Sequence, residues 1–234
     1  MFHYRSIVAI FLVILAACAF ADQPSPSPTQ SNGTKSRPIF NPDNTPNKYI
    51  MAIVDVETTG LNPEYHEMID IGAIYVDLNG KELGRFYTKI MPPHPERISQ
   101  GARAVNGFDV NIWKNKGAIT EAIAVKKFLA FHRKHAKGKV VLFTAFNVWF
   151  DQAFLTELLA RNKASWRDCY YYQVLDIPSM AWGAGYKQLR GAALSKALQV
   201  EDETHVPLEH TGITGAEFNL RLIRALFRKQ NKES

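Results

Sequence analysis

The apolar positions of this chain fall into two patterns. Some form short continuous or alternating runs, as strands do. Others recur at every third or fourth position, as one face of a helix does. The strongest run is YIMAIV at residues 49–54, rich in β-branched residues and followed by the polar turn Thr58-Thr59-Gly60, and it predicts a buried strand. Residues 68–77 predict a second strand that ends at an Asn79-Gly80 hairpin signal, and residues 83–91 a third. Their short connections call for antiparallel pairing. Residues 92–108 lack a period, apart from a short helix expected at 99–105. Residues 120–135 place Ala122, Val125 and Leu129 on one face and Lys126, Lys127, Arg133 and Lys134 mostly away from it, which predicts an amphipathic helix. A strand at 139–145 then leads into a helix in which Asp151, Phe154, Leu155 and Leu158 share a stripe. Residues 170–176 read as a strand, and 177–182 and 188–198 as helices, with Trp182 and the nearby tyrosines expected in the core or at its edge. The last helix, 214–229, buries Ala216, Leu220, Ile223 and Phe227. It turns Glu217, Arg221, Arg224 and Arg228 outward, where Glu ahead of Arg by four residues is favourable.

The start of the chain reads as an address. Arg5 precedes a charge-free stretch at 6–21 whose apolar core is followed by small residues, the layout of a secretory signal. The stretch is short for a membrane-spanning helix, which needs about 20 apolar residues. Two cleavage patterns overlap there. Leu15-Ala16-Ala17-Cys18 resembles a bacterial lipobox, which would lipidate Cys18, and Ala19-Phe20-Ala21 resembles an ordinary signal-peptidase site. The expectation is export to a bacterial cell envelope, by preference with a lipid anchor in the membrane and otherwise as a soluble secreted protein. Residues 22–47, rich in Pro, Ser, Asn and Thr, predict a disordered tether. That leaves 48–234 as one domain.

Composition narrows the class. Hydrophobic residues make up 46% and charged residues 21%, as in globular proteins. The net charge of +6 suits a polyanionic partner such as nucleic acid, or an anionic membrane surface. Two cysteines, Cys18 and Cys169, imply no disulfide framework. The chemistry concentrates at the end of the first strand. Side chains alternate along a strand, so Ile53, Asp55 and Glu57 share a face that is otherwise apolar. Two carboxylates there must bind protons or find a cation, and a divalent metal accepts such oxygen ligands. Asp151 read alone is an acid at the positive end of a helix.

The string VDVETTGL at 54–61 closely resembles the first motif of the DEDDh 3′→5′ exonucleases, the family of RNase T and of the proofreading subunit of bacterial DNA polymerase III. Ala145-x-Asn147-x-x-Phe150-Asp151 resembles the second motif, with Phe146 where the family usually has His. ISQGARAVNG at 98–107 resembles the family's linker before the next helix, and LSKALQV at 194–200 resembles its pattern before the third motif. The third, H-x-A-x-x-D-A, matches His210-Thr211-Gly212-Ile213-Thr214-Gly215-Ala216, with Gly215 in place of the final Asp. The resemblance implies an α/β fold of the ribonuclease H-like kind, a mixed five-stranded sheet flanked by helices. It implies a two-metal site for Mg²⁺ or Mn²⁺ held by Asp55, Glu57 and Asp151, and His210 as general base. Thr58, Thr59, Gly60, Leu61 and Asn147 would contact the substrate, the 3′ end of a single-stranded nucleic acid. Of two acids that could replace the missing one, Glu217 lies on the solvated helix face and Glu209, beside His210, could reach inward. The expectation is a working exonuclease with weakened activity, more active in Mn²⁺ than in Mg²⁺, in which Gly215→Asp is accommodated and restores activity. The alternative is an impaired, nucleic-acid-binding envelope protein. DNA and RNA both stay open as substrates.

Overall fold

The computed structural model describes residues 48–233. The signal segment with Cys18 and the whole of the expected tether lie outside them. The three expected strands are β1 (Tyr49–Thr58), β2 (Met68–Val76) and β3 (Glu82–Met91), paired antiparallel in that order. The β2–β3 turn rests on Gly80, at φ +77°, and on Asp77, which accepts hydrogen bonds from the backbone of Asn79 and Lys81. Glycine takes this left-handed conformation without a steric penalty. On its other edge β1 pairs in parallel with β5 (Val140–Ala145).

The sheet is mixed, in the order β4-β3-β2-β1-β5-β6, and has six strands rather than five. The addition is β4 (Ile119–Thr120), too short to show any period, which pairs in parallel with β3. β6 is only Leu175–Asp176. The residues before it turn rather than extend, because Tyr170 is buried against Trp166 and Phe143. The helices are α1 (Gln100–Asn106), α2 (Val110–Asn115), α3 (Glu121–Ala136), α4 (Val148–Arg161), α5 (Ile177–Gly183), α6 (Gly191–Leu198) and α7 (Gly212–Glu233). α2 has no counterpart in the expected elements. Asp109 caps its first turn, and it buries Trp113, whose indole N–H donates to the Ile69 carbonyl at 2.9 Å. Among the described residues no helix is long and apolar enough to cross a membrane.

The alternation of β1 divides the core. Ile50, Ala52, Val54 and Val56 pack on one face with residues of α3 and α4, including Val125, Phe128, Phe154 and Leu158. Met51 and Ile53 pack on the other with α7 residues Ala216, Leu220 and Ile223. The buried face of α7 is wider than expected and includes Phe218, Leu222 and Leu226. Its polar face reaches sideways to other elements rather than pairing within the helix. Glu217 accepts from Arg85 of β3 at 2.7 Å, Arg221 donates to the carbonyls of Glu201 and Asp202, and Arg224 to that of Gly80. The second face of β1 continues past Ile53 into Asp55 and Glu57, so these acids face the start of α7.

Two glycines set how closely α7 approaches. A Cβ on Gly72 of β2 would stand 2.1 Å from the Gly212 carbonyl oxygen. The Gly212 N–H donates to Asp70 Oδ1 at 2.8 Å. Gly72→Ala must therefore push the first turn of α7 off the sheet, since backbone cannot yield as a side chain does. Overpacking of this kind costs about 1–3 kcal/mol, and the melting temperature should fall by roughly 3–10 °C. An unchanged melting temperature would show that the helix does not start so close to β2.

Candidate active site

The carboxyl ends of β1 and β5 open onto a cavity of about 330 Å³. The end of β1, the loop after it, α1, the start of α4 and the loop before α7 form its walls. Asp55, Glu57, Thr58, Gly60, Leu61, Asn147, Asp151 and His210 all line it, together with Phe146, Phe150 and α1 residues Ala102, Val105 and Asn106. Thr59 does not. It is fully buried, its hydroxyl accepts from the Glu67 N–H at 2.9 Å, and its own N–H donates to the Glu67 carbonyl at 2.8 Å. The β1–β2 register slips between Glu57 and Thr58. Strict alternation therefore stops there, and Thr59 fastens the loop instead of facing the cavity. Leu61 stands at the loop tip with 80% of its surface exposed.

Asp151, Glu57 and His210 each have a definite hold. Asp151 Oδ1 accepts from the Val56 N–H at 3.1 Å, which ties the head of α4 to β1. Glu57 is 7% exposed and held at both oxygens, with Oε1 3.2 Å from His210 Nε2 and Oε2 accepting from Asn106 Nδ2 at 3.3 Å. Asn106 also donates to the Thr58 carbonyl at 3.0 Å, so α1 clamps the end of β1. His210 Nδ1 donates to the Thr204 carbonyl at 2.8 Å. With an acceptor at each nitrogen the ring is an imidazolium, and the Glu57 carboxylate raises its pKa to about 9.

The acids crowd one another. Burial raises the Asp55 carboxyl well above the usual range, and the charges of Asp151, Glu203, Glu57 and Asp70 raise it further, in that order. Burial likewise raises Asp151, against the lowering effect of its backbone hydrogen bonds. Below them Asp70 is fully buried and pushed up to about 6, chiefly by burial and then by Glu57. Lys89, 3.3 Å from Asp70, partly offsets this.

Two further residues belong to this group, and the expected set contained neither. Asn106 ends a helix too short to show its inner face. Glu203 sits among Glu201, Asp202 and Glu209 in an aperiodic loop, where nothing singles it out. Its Oε1 is buried without a hydrogen-bond donor and lies 3.6 Å from His210 Nδ1, whose proton points at Thr204. Glu209 is exposed, and Glu217 pairs with Arg85. Glu203, not Glu209, is thus the additional acid that turns inward. Gly215 is not simply a position without a ligand. A Cβ there would stand 2.3 Å from Asp55 Oδ2, so the Asp55 carboxylate fills the space into which a side chain at 215 would grow.

Among the described residues no three His, Cys, Asp or Glu side chains already converge as around an ion. Glu57 is occupied by His210 and Asn106, and Asp55 leans over Gly215. The donor set still fits a hard divalent cation. Asp55, Glu57 and Asp151 offer carboxylate oxygens, their crowding raises the affinity for positive charge, and no Lys or Arg lines the cavity.

Clustered buried acids at the carboxyl end of a mixed sheet, with a histidine beside them, define a nuclease of ribonuclease H-like fold. The model of the RNase T exonuclease family matches residues 52–214, and the chain belongs to that family, a 3′→5′ exonuclease of the DEDD class. Ribonuclease T of Haemophilus ducreyi is 29% identical over 159 residues, 65% of this chain and 72% of the relative. The PolC-type DNA polymerase III of Caldanaerobacter subterraneus is 36% identical over 104 residues, which is 44% of this chain but 7% of that polymerase. Escherichia coli exonuclease I in a complex with single-stranded DNA shares the fold, with a TM-score of 0.61 at 16% identity. The match covers 79% of this chain and 41% of exonuclease I, so the chain spans about two-fifths of that enzyme.

Proposed function

We propose that the domain hydrolyses phosphodiester bonds at the 3′ ends of single-stranded nucleic acid, dependent on Mg²⁺ or Mn²⁺ and with activity weakened at Gly215. The observation that carries this is the convergence of Asp55, Glu57, Asp151 and His210, from three separated parts of the chain, on one cavity. Ribonuclease T among the relatives supports a nucleic-acid substrate, and exonuclease I crystallised with dT13 and dA16 oligonucleotides supports a single-stranded one. Asp55, Glu57 and Asp151 would hold the metal, which when bound supplies charge neutralisation at the phosphate and a more acidic water. His210 would receive the proton of the attacking water at Nε2 only after Glu57 turns to the metal and the imidazolium, no longer held charged by that carboxylate, has given its Nε2 proton to solvent. Its Nδ1–H bond to Thr204 fixes the ring and the tautomer. Leu61, Ala102 and Val105 offer apolar surface to a terminal base.

The weakening follows from ligand count. Gly215 contributes no carboxylate, and fewer anionic ligands bind Mg²⁺ less well, since that ion gives up its waters reluctantly. Mn²⁺ polarises and binds nitrogen and oxygen ligands well enough to recover part of the loss. Digestion of a 5′-labelled strand should stop in EDTA and run several-fold faster in Mn²⁺ than in Mg²⁺ at equal concentration. Digestion that persists in EDTA would overturn the metal requirement. Salt-sensitive binding without digestion in either metal would leave a binding protein instead.

A further inference from the structure

A second cavity, of about 740 Å³, lies beside the first and shares Phe146 and Asn147 with it. Pro178 and Trp182 of α5, and Leu189 beyond that helix, form its other side. Trp182, expected in the core or at its edge, is instead 49% exposed, and Leu189 is 54% exposed. α5 buries Ile177 and Ala181, so position 182 is carried out of the core face. Lys187 Nζ stands 3.9 Å from the centre of the Trp182 ring, and both Lys187 and Arg190 are exposed. The carboxylate in this cavity, Asp176, is engaged by protein donors. One oxygen accepts from the Val148 N–H, and the other from the Ser179 N–H and hydroxyl.

An exposed indole with a cation against it, here Lys187 over one face of Trp182, is a combination by which proteins hold single strands without reading their sequence. The ring stacks a base, and the cation follows the phosphates. The two cavities adjoin at Phe146 and Asn147. A strand whose last nucleotide lies against Asp55 and Asp151 has a route past Phe146 and Asn147 to Trp182 as it runs back toward its 5′ end. We propose that the second cavity is the path of the single strand upstream of its terminal nucleotide, with a base stacked on Trp182 and a phosphate held by Lys187. This rests on the nucleic-acid substrate proposed above.

The test is the binding of fluorescent dT10 and dT2 by full-length protein carrying Asp55→Asn, so that strands survive in Mn²⁺, with anisotropy read across a salt series. Adding Trp182→Ala should weaken dT10 binding about 5- to 100-fold, the range for loss of one stacked base, and leave dT2 binding within about twofold. Trp182→Phe should recover most of the loss, and Lys187→Ala should flatten the salt dependence for dT10. If dT10 binds equally well with Trp182→Ala, or Trp182→Phe is as weak as the alanine variant, the subsite is wrong and the nucleic-acid substrate stands. If the Asp55→Asn protein binds neither strand at any salt, the substrate reading fails and this inference with it. In that case the exposed Trp182 face is left to a protein partner.

Discussion

Asp55→Asn is expected to lower exonuclease turnover by about a hundredfold to a thousandfold and, without divalent metal, to raise the melting temperature. The loss follows because Asp55 is central to the acid cluster. Charge stabilisation by a bound metal contributes several kcal/mol at the transition state, and each 1.36 kcal/mol is tenfold in rate. The stability gain has a separate cause. Asp55 is an acid whose pKa folding raises, by burial and by the charges of Asp151, Glu203, Glu57 and Asp70. Such a group favours the folded state when protonated, at low pH, and loses that contribution as pH rises through its folded value. Asparagine keeps the shape and removes the charge, so its advantage in melting temperature should widen from pH 5 to pH 8. Thermal melts in EDTA at both pH values check this. A variant that melts below wild type at pH 8 would mean that the carboxylate is not repelled in the folded protein.

The second large effect concerns Gly215. Helix propensity alone favours aspartate over glycine there, which is why the substitution was expected to be accommodated. The packing opposes it. The new Cβ meets Asp55 Oδ2 at 2.3 Å, and the new charge joins Asp55, Glu57, Asp151 and Glu203. In EDTA Gly215→Asp should therefore melt roughly 3–10 °C below wild type, by overpacking and repulsion together. Mn²⁺ should reverse the order of effects. A ligand that binds only the folded state stabilises in proportion to its affinity, so the Mn²⁺-induced rise in melting temperature should be larger in Gly215→Asp than in wild type. Gly215→Ala separates the two causes. It displaces Asp55 and returns no ligand, so it should lose activity about tenfold or more and show a smaller Mn²⁺ response. Wild-type stability of Gly215→Asp in EDTA would show that Asp55 leaves that space freely.

How far the fold and the site could be read in advance depended on local periodicity. β1 was legible because period two fixes both its burial and the facing of Asp55 and Glu57, and the acids sit where the strand's apolar face ends. Asp151 and His210 were legible through their motifs, and the structure brings both to the same cavity. Where the period breaks, the expectations break too. The register slip after Glu57 turned Thr59 inward. Two-residue strands and one- or two-turn helices leave no repeat to count, which hid β4, α2 and the inner face of α1 with Asn106. In the loop before α7, adjacency to His210 pointed to Glu209 and nothing pointed to Glu203. Only the fold distinguishes Glu203, turned toward His210, from Glu209, turned to solvent. Gly215 was visible as a missing ligand, but the position of Asp55 over it depends on the approach of α7, which Gly72 and Gly212 set from opposite sides.

The most direct test of the central claim follows both ends of one strand. Purified protein is given a single-stranded oligonucleotide labelled at the 5′ end, or the same oligonucleotide labelled at the 3′ end, in Mn²⁺ and in EDTA. In Mn²⁺ the 3′ label should leave at the outset as a mononucleotide, while the 5′ label passes down a ladder of one-nucleotide steps, and EDTA should stop both. Release of the 5′ label first, cleavage of a circular single strand, or no movement of either label at any Mn²⁺ concentration would contradict a 3′→5′ exonuclease built on Asp55, Glu57, Asp151 and His210.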